Sequence, residues 1–450
     1  MTYDATTYSR ILTELTLSFH ILFATIGVGV PLMIALAQWI GIKRNDHHYI
    51  LLARRWTRGF TITVAVGVVT GTAIGLQLSL LWPKFMETAG QVIALPLFME
   101  TFAFFFEAIF LGIYIYTWDR FKKPIYHFLL LIPVAIGSSA SAFFITTVNA
   151  FMNTPQGFEI VNGVITNIDP IEAMFSPSVP TKVSHVLVSA YMTSAFVLAA
   201  LAAYQMLKGK NHEYYKKALK ITMIPALVFS IATAVVGDFS GKFLAEYQPE
   251  KLAAAEWHFE TESHAPLILY GYLDENGEIK GALEIPYALS ILAGNTPSTE
   301  VIGLNEFPED ERPPLYVHYF FDLMVTLGVL LTIIALLYAM WLRWKPRLAH
   351  HKWMLRAIVW SAPLSLLAIE IGWFFAEVGR QPWILRGYMK VPEASTTSPH
   401  VGTLIIVFAV LYVILAVGSA IVLRKMFKNN PPEKELQEYS MKHGGEIHVS

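Results

Sequence analysis

The 450-residue chain contains no cysteine. That absence excludes disulfides, iron–sulfur clusters, thiolate zinc sites and cysteine-attached c-type haem. Charge is scarce as well. Asp, Glu, Lys and Arg make up 15% of the residues, against about 25% in an ordinary soluble domain. The net charge is -1, so there is no basic excess with which to hold nucleic acid. No internal repeat is visible, which weakens a transporter built from inverted halves.

What the chain has in abundance is apolar sequence. Hydrophobic residues make up 54% and the mean hydropathy is +0.48, which predicts an all-α, polytopic membrane helix bundle. Nine stretches approach the roughly 20 residues needed to span a bilayer: 14–40, 58–82, 94–117, 126–150, 185–207, 218–238, 316–342, 356–376 and 401–424. A basic loop and no small-residue cleavage pattern follow the first, so it reads as a retained helix rather than a signal peptide. Every second loop is basic. Lys43, Arg44, Arg54 and Arg55 follow the first span, and Arg120, Lys122 and Lys123 the third. Lys208, Lys210, Lys216 and Lys217 follow the fifth, and Arg343, Lys345, Arg347 and Lys352 the seventh. By the positive-inside rule these four loops are cytoplasmic, the N-terminus is outside and the C-terminus is inside.

Four regions result: spans one to six within 1–238, an outer loop at 239–315, spans seven to nine within 316–424, and a cytoplasmic tail at 425–450 that is expected to be mobile. The outer loop has no spanning run and is acidic (Glu246, Glu250, Glu256, Glu260, Glu262, Asp274, Glu306 and the run Glu309-Asp310-Glu311). So long a connection is usually functional or disordered. Its alanine-rich start, Pro249 to Glu260, reads as a helix with proline in the first turn.

Few polar side chains lie at membrane depth, and each is costly there. Of fourteen histidines, only His20 and His185 lie within a span or at its mouth, both toward the outer side. A buried histidine can bond a neighbouring helix, relay protons or ligate iron. Ligation needs partners. Met324 lies two turns into the seventh span and Glu377 ends the eighth, both toward the outer side, although methionine is more often core filler. A carboxylate at Glu377 needs a cation, and Arg380 follows it in Glu377-Val378-Gly379-Arg380-Gln381-Pro382-Trp383. Glu100 and Glu107 are seven residues apart, about 10 Å along one face of the third span, in nearly all aromatic and apolar surroundings. A structural pair and a proton relay both fit them. Glu370 and Glu377 repeat that spacing with Trp373 between. Gly67, Gly71 and Gly75 in the second span fit close helix packing or room for a flat macrocycle.

On these residues the chain resembles subunit I of cytochrome bd-type quinol oxidases. The likeness runs from Ser9-Arg10 and His20 to about residue 383. It includes Gly379-Arg380-Gln381-Pro382-Trp383, Gln248-Pro249-Glu250-Lys251-Leu252-Ala253-Ala254-Ala255-Glu256, Trp118-Asp119-Arg120, Asn149 and Asn153-Thr154-Pro155. The resemblance implies an oxidase of the bacterial cytoplasmic membrane that oxidises quinol and reduces O2 to water. Proton uptake from the cytoplasm would make it electrogenic without pumping. The implied cofactors are two haem b groups, one low-spin and one high-spin, and one haem d, with no copper. His185 and Met324 would hold the low-spin haem. His20 and Glu377 would serve the other two, in an order left open. Lys251 and Glu256 would bind quinol in a short-form outer loop. Glu100 and Glu107 would carry protons, and Trp373 would sit between haems. A second large subunit and a small single-span one are implied partners.

Two departures stand out. The family often has arginine two residues before the methionine, where this chain has Asp322; a negative charge there would favour ferric haem. Lys251 and Glu256 are roughly 140° apart on an ideal helix, so either the helix is distorted or quinol lies across its end. Rival classes fit less well. A haem–copper oxidase needs a histidine cluster, and a bis-histidine cytochrome b needs facing pairs. The remaining alternative is a proton-coupled secondary transporter using Glu100, Glu107 and Glu370.

Overall fold

The computed structural model describes residues 4–161 and 164–443, with side chains described as far as residue 438. Among the described residues nine helices are long and apolar enough to cross a membrane. They are α1 (Ala5–Arg44), α2 (His47–Leu81), α3 (Pro83–Tyr116), α4 (Pro124–Asn153), α5 (Val179–Leu207), α6 (Glu213–Tyr247), α7 (Val317–Trp344), α8 (Lys352–Val378) and α9 (Val401–Asn429). Among the described residues the strands form only short antiparallel pairs, with no closed sheet.

Each helix is at least as long as the apolar run that announced it, and a polar side chain caps the first turn of α1, α2, α6 and α8. Asp4 accepts hydrogen bonds from the amides of Thr6 and Thr7 at 3.1 and 3.2 Å and starts α1 well ahead of residue 14. Asn45, in a left-handed conformation with φ of 51°, ends α1 behind Lys43 and Arg44, whose charges oppose the helix dipole. Asp46 then caps α2 through the His48 amide at 3.0 Å. One extension matters for the site. α5 begins at Val179, so His185 lies almost two turns inside the helix rather than at its first residue.

The bundle is built around α5, which packs against α1, α4, α6 and α8. In its most apolar window 67% of α5 is buried, against 6% for α9. Lipid tails are as apolar as these side chains, so close fit rather than escape from water holds the helices together. A side chain at Gly29 would collide with Ser194, so the glycine sets how closely α1 approaches α5. The largest core cluster, with Met33, Ile34, Phe60, Tyr114, Phe196, Met223 and Tyr338, lies toward the basic loops. A second, with Leu12, Leu81, Phe85, Ile93 and Phe151, lies at the other end.

The acidic loop is ordered. α6 continues to Tyr247, past the expected boundary at 238, and a short helix follows over Pro249–Ala255 with Pro249 in its first turn. It ends before Glu260 because Trp257 takes a left-handed φ of 49°. A hairpin (Leu267–Leu273 with Ile279–Ile285) and a helix over Ala288–Gly294 complete the loop. Phe243, Leu252, Leu289 and Val301 fasten it to the end of α6.

The expectation of a mobile tail from residue 425 is corrected. α9 runs on to Asn429, and a further helix over Pro432–His443 folds back on α2. Glu435 bonds the buried Arg55 and lies 3.0 Å from Arg58, while Leu436 enters the core. The signal was a single acid and a single leucine among polar residues, too little to read as an anchored helix. His448 lies outside the described residues, and the side chain of His443 is not described.

Candidate functional site

Glu377 is held from three sides at the end of α8. Arg380 donates to its Oε2 at 2.6 Å and Asn149 of α4 to its Oε1 at 2.5 Å. Lys182 of α5 donates to Asn149 Oδ1 at 2.7 Å, so a second cation reaches Glu377 through the amide. Arg380 and Glu377 are 5% and 15% exposed, too buried for either charge to stand alone. Each carboxylate oxygen accepts one bond and retains a lone pair. Glu14 of α1 lies within electrostatic range of Glu377, Arg10 and Arg380. In the sequence, Lys182 in the first turn of α5 and Glu14 at the edge of the first apolar run look like interfacial charges, and Asn149 stands out only through the resemblance.

His20 of α1 donates from Nδ1 to Thr70 Oγ1 of α2 at 2.8 Å. The direction follows from Thr70, which gives its own proton to the Val66 carbonyl at 2.9 Å. With Nδ1 protonated, Nε2 of a neutral ring carries the lone pair a metal needs, an orientation fixed from the second shell. Gly71 lies against this ring: a Cβ there would be 3.2 Å from His20 Cε1. Nothing lies within 4 Å of a Cβ built at Gly67 or Gly75. Gly71 therefore makes room for the His20 ring, whereas Gly67 and Gly75 face open space rather than a tight helix contact.

His185 and Met324 repeat that pattern. A Cβ at Gly237 of α6 would be 4.0 Å from His185 Cε1, and one at Gly372 of α8 would be 3.1 Å from Met324 Sδ. His185 Nδ1 is buried without a partner, as are Arg380 Nε and Nη1. Three soft or nitrogen donors with a glycine opposite each, plus orphaned guanidinium protons, suit a flat iron macrocycle that bears carboxylates. Clusters of three or more His, Asp or Glu fit to hold a bare metal ion are absent among the described residues.

On α3, Glu107 is 4% exposed and packs against Gly137 of α4, where a Cβ would be 3.0 Å from its own. Glu100 accepts a bond from Ser141 Oγ of α4 at 2.9 Å. No arginine pairs with either among the described residues. Tyr114 continues the seven-residue series and donates to Gln38 Oε1 at 2.7 Å, and Gln38 contacts His127 at 2.9 Å. Glu370 has a buried oxygen without a partner, with Ser18 of α1 in hydrogen-bonding reach of the carboxyl. Trp373 lies half-buried between Glu370 and Glu377.

Lys251 and Glu256 turn to different neighbours. Lys251 lies in the loop helix, donates to the Ala376 carbonyl at 3.1 Å and sits 4.6 Å over the Phe375 ring. Burial pulls its ammonium down to about 7, against the opposing pull of Glu377. Glu256 is the residue that caps the end of this helix. Both its carboxyl oxygens are buried without a close hydrogen-bond partner, the Ile268 amide lying nearby. Burial, and then the Asp322 carboxylate, pushes its carboxyl well above the usual range. Asp322 is not free: its Oδ2 lies 3.0 Å from His318 Nε2, a pairing invisible in the sequence because His318 reads as a helix-edge residue.

The family model for cytochrome bd terminal oxidase subunit I matches residues 8–431. A Bacillus subtilis (strain 168) chain assigned as a cytochrome bd menaquinol oxidase subunit I is 43% identical, over 96% of this chain and 99% of its own. The cytochrome bd ubiquinol oxidase subunit 1 of the same organism is 34% identical, over 90% of each. The solved bd oxidase of Geobacillus thermodenitrificans contains a chain of 68% identity that superposes with a TM-score of 0.92, covering 95% of this chain and 99% of that one.

Proposed function

From the premise that the chain belongs to the cytochrome bd terminal oxidase subunit I family, we propose a division of labour among its buried polar residues. The protein is a bacterial membrane quinol:oxygen oxidoreductase subunit that works with haem; the transporter alternative falls with that membership. In our reading His185 and Met324 hold a low-spin haem b. His20 and Glu377 serve a high-spin haem b and a haem d, with Arg380 neutralising Glu377 and Trp373 lying between. Copper has no place in this set. When bound, these groups accept electrons one at a time and bind oxygen.

The residues themselves handle protons and position. Glu256 takes a proton as a quinol O–H bond breaks. A carboxylate kept out of water is a strong base once ionised, which suits that task. Lys251 orients the quinol from the neighbouring turn. Glu107 and Glu100 bring protons from the basic-loop side, past Tyr114 and Gln38. Release at the loop of residues 239–315 and uptake from the opposite side make turnover electrogenic without a pump. The loop then faces outward and the basic loops and C-terminus face the cytoplasm. A second large subunit and a small single-span one complete the complex.

The observation that carries the haem assignment is the glycine opposite each of His20, His185 and Met324. The test is the reduced-minus-oxidised spectrum of the purified complex. His185→Ala and Met324→Leu should each abolish the low-spin band while the other bands persist. An unchanged low-spin band in either variant removes that residue as a ligand.

A further inference from the structure

The turn after the loop helix is tied to α7 by contacts that neither haem nor quinol binding explains. Trp257 holds a left-handed φ of 49°, unusual for a bulky residue and stable only where its surroundings enforce it. Its indole Nε1 donates to the Leu315 carbonyl at 2.8 Å. Its ring stacks on the His318 imidazole with centroids 3.9 Å apart and planes at 26°. His318 is completely buried. Its Nδ1–H donates to the Ala255 carbonyl at 2.6 Å. Its Nε2 lies 3.0 Å from Asp322 Oδ2, off the line of a hydrogen bond.

The two ring nitrogens therefore have different duties. Nδ1 grips the peptide immediately before Glu256, and Nε2 contacts the next turn of α7. Met324 lies six residues beyond His318, about 9 Å along the helix. The Glu256 carboxyl has no side-chain hydrogen-bond partner, only the Ile268 amide near it, so its aim depends largely on how its backbone is held. One imidazole links that backbone to the helix carrying Met324.

We propose that His318 is a positioning residue for quinol oxidation: through the Ala255 carbonyl it fixes the Glu256 carboxyl relative to the helix that presents Met324. This rests on the reading of Glu256 as the quinol's proton acceptor. Proton transfer needs a donor and acceptor within hydrogen-bond reach, and a misplacement of about 1 Å can cost about a hundredfold in rate.

Amide substitutions separate the two nitrogens. Asparagine sets its side-chain N–H where Nδ1 sits and keeps the Ala255 bond. Glutamine reaches toward Asp322 and loses it. The experiment compares His318→Asn, His318→Gln and Glu256→Gln in the purified complex, with short-chain ubiquinol and menaquinol analogues, an artificial electron donor that bypasses the loop, and the reduced-minus-oxidised spectrum. The expected result is a kcat for quinol close to the parent in His318→Asn and roughly tenfold lower in His318→Gln. KM, artificial-donor turnover and the low-spin band should be retained in both. Equal quinol turnover in the two variants, whether both high or both low, overturns the proposal. So does loss of the low-spin band in His318→Gln, which would make His318 a support for haem alone. Normal quinol oxidation by Glu256→Gln would instead overturn the reading of Glu256. An impaired Glu256→Gln with indistinguishable His318 variants leaves that reading standing and removes only the positioning role.

Discussion

The two ends of the bundle differ in how buried polar groups are partnered. Ion pairs occur at both, such as Arg386 with Glu250 and Lys390 with Asp310 beside the acidic loop, and at the end carrying the basic loops they join the helices. Arg55 and Arg58 share Glu435, Arg54 lies 3.3 Å from Asp119, Lys217 lies 2.5 Å from Asp46, and both ring nitrogens of His127 are bonded. Among the described residues, the His212 Nε2 and Tyr338 hydroxyl side-chain atoms are buried without partners there. Toward the other end the orphans are more numerous: Arg380 Nε and Nη1, both Glu256 oxygens, His185 Nδ1, His318 Nε2, Glu370 Oε1, Asn153 Oδ1, Gln77 Nε2 and Ser9 Oγ. Buried polar groups are normally satisfied, so an accumulation of exceptions marks a place where something else supplies the partner. The comparison sets an end with few unpaired buried atoms against an end where they accumulate.

The largest effect should come from Glu377. Glu377→Ala leaves Arg380 buried with no carboxylate, and removing one member of a buried ion pair costs about 3–5 kcal/mol. The expected outcome is loss of most of one haem per chain and collapse of oxygen consumption, read by haem-to-protein ratio and an oxygen electrode. In the double variant Glu377→Ala/Arg380→Ala thermal stability should partly recover and oxygen consumption should not. Full haem content in Glu377→Ala would mean the Glu377 site is structural and would erase the contrast between the ends.

Glu435 tests the opposite end. Its partner Arg55 has a side chain only 7% exposed and Glu435 only 11%, so Glu435→Ala should destabilise by about 3 kcal/mol. The tail helix should become open to protease near Asn430. Haem content and quinol oxidase activity at low temperature should not change. A loss of activity before any loss of stability would show that the paired end also serves turnover.

The contrast also explains what could be read from the sequence. The nine spans were legible because length and hydropathy alone decide whether a segment crosses a bilayer. Their ends were not, because Asp4, Asn45 and Asp46 act through capping geometry that hydropathy ignores. His20, His185, Met324, Glu107 and Glu377 stood out as polar or soft donors in apolar runs. Their supports did not. Lys182 lies one turn into α5 and looks interfacial. Thr70 and Ser141 are ordinary small residues of packed helices. The pairing of His318 with Ala255 joins residues far apart in the chain. Periodicity reports which face a residue occupies, whereas a support depends on what the neighbouring helix presents to that face.

The smallest effect sharpens the comparison at its paired end, at Asp46. Its side chain caps α2 and meets Lys217 between α1 and α6, joining three helices. Burial works to raise its pKa, but the Lys217 ammonium and the His48 amide outweigh burial and hold the carboxyl below its ordinary value. A carboxyl depressed in the folded state adds stability above its unfolded pKa and loses it as pH falls through the folded value. Asp46→Ala removes cap and charge together and should cost about 1 kcal/mol near neutral pH. Asp46→Asn keeps a capping oxygen and removes only the charge, so it should cost less. The gap between parent and Asp46→Asn should close as the pH drops below about 4. Thermal unfolding across that pH series reads the sign directly. A gap that widens on acidification would show that Lys217 does not hold Asp46 ionised and that this end, too, carries an unmatched charge.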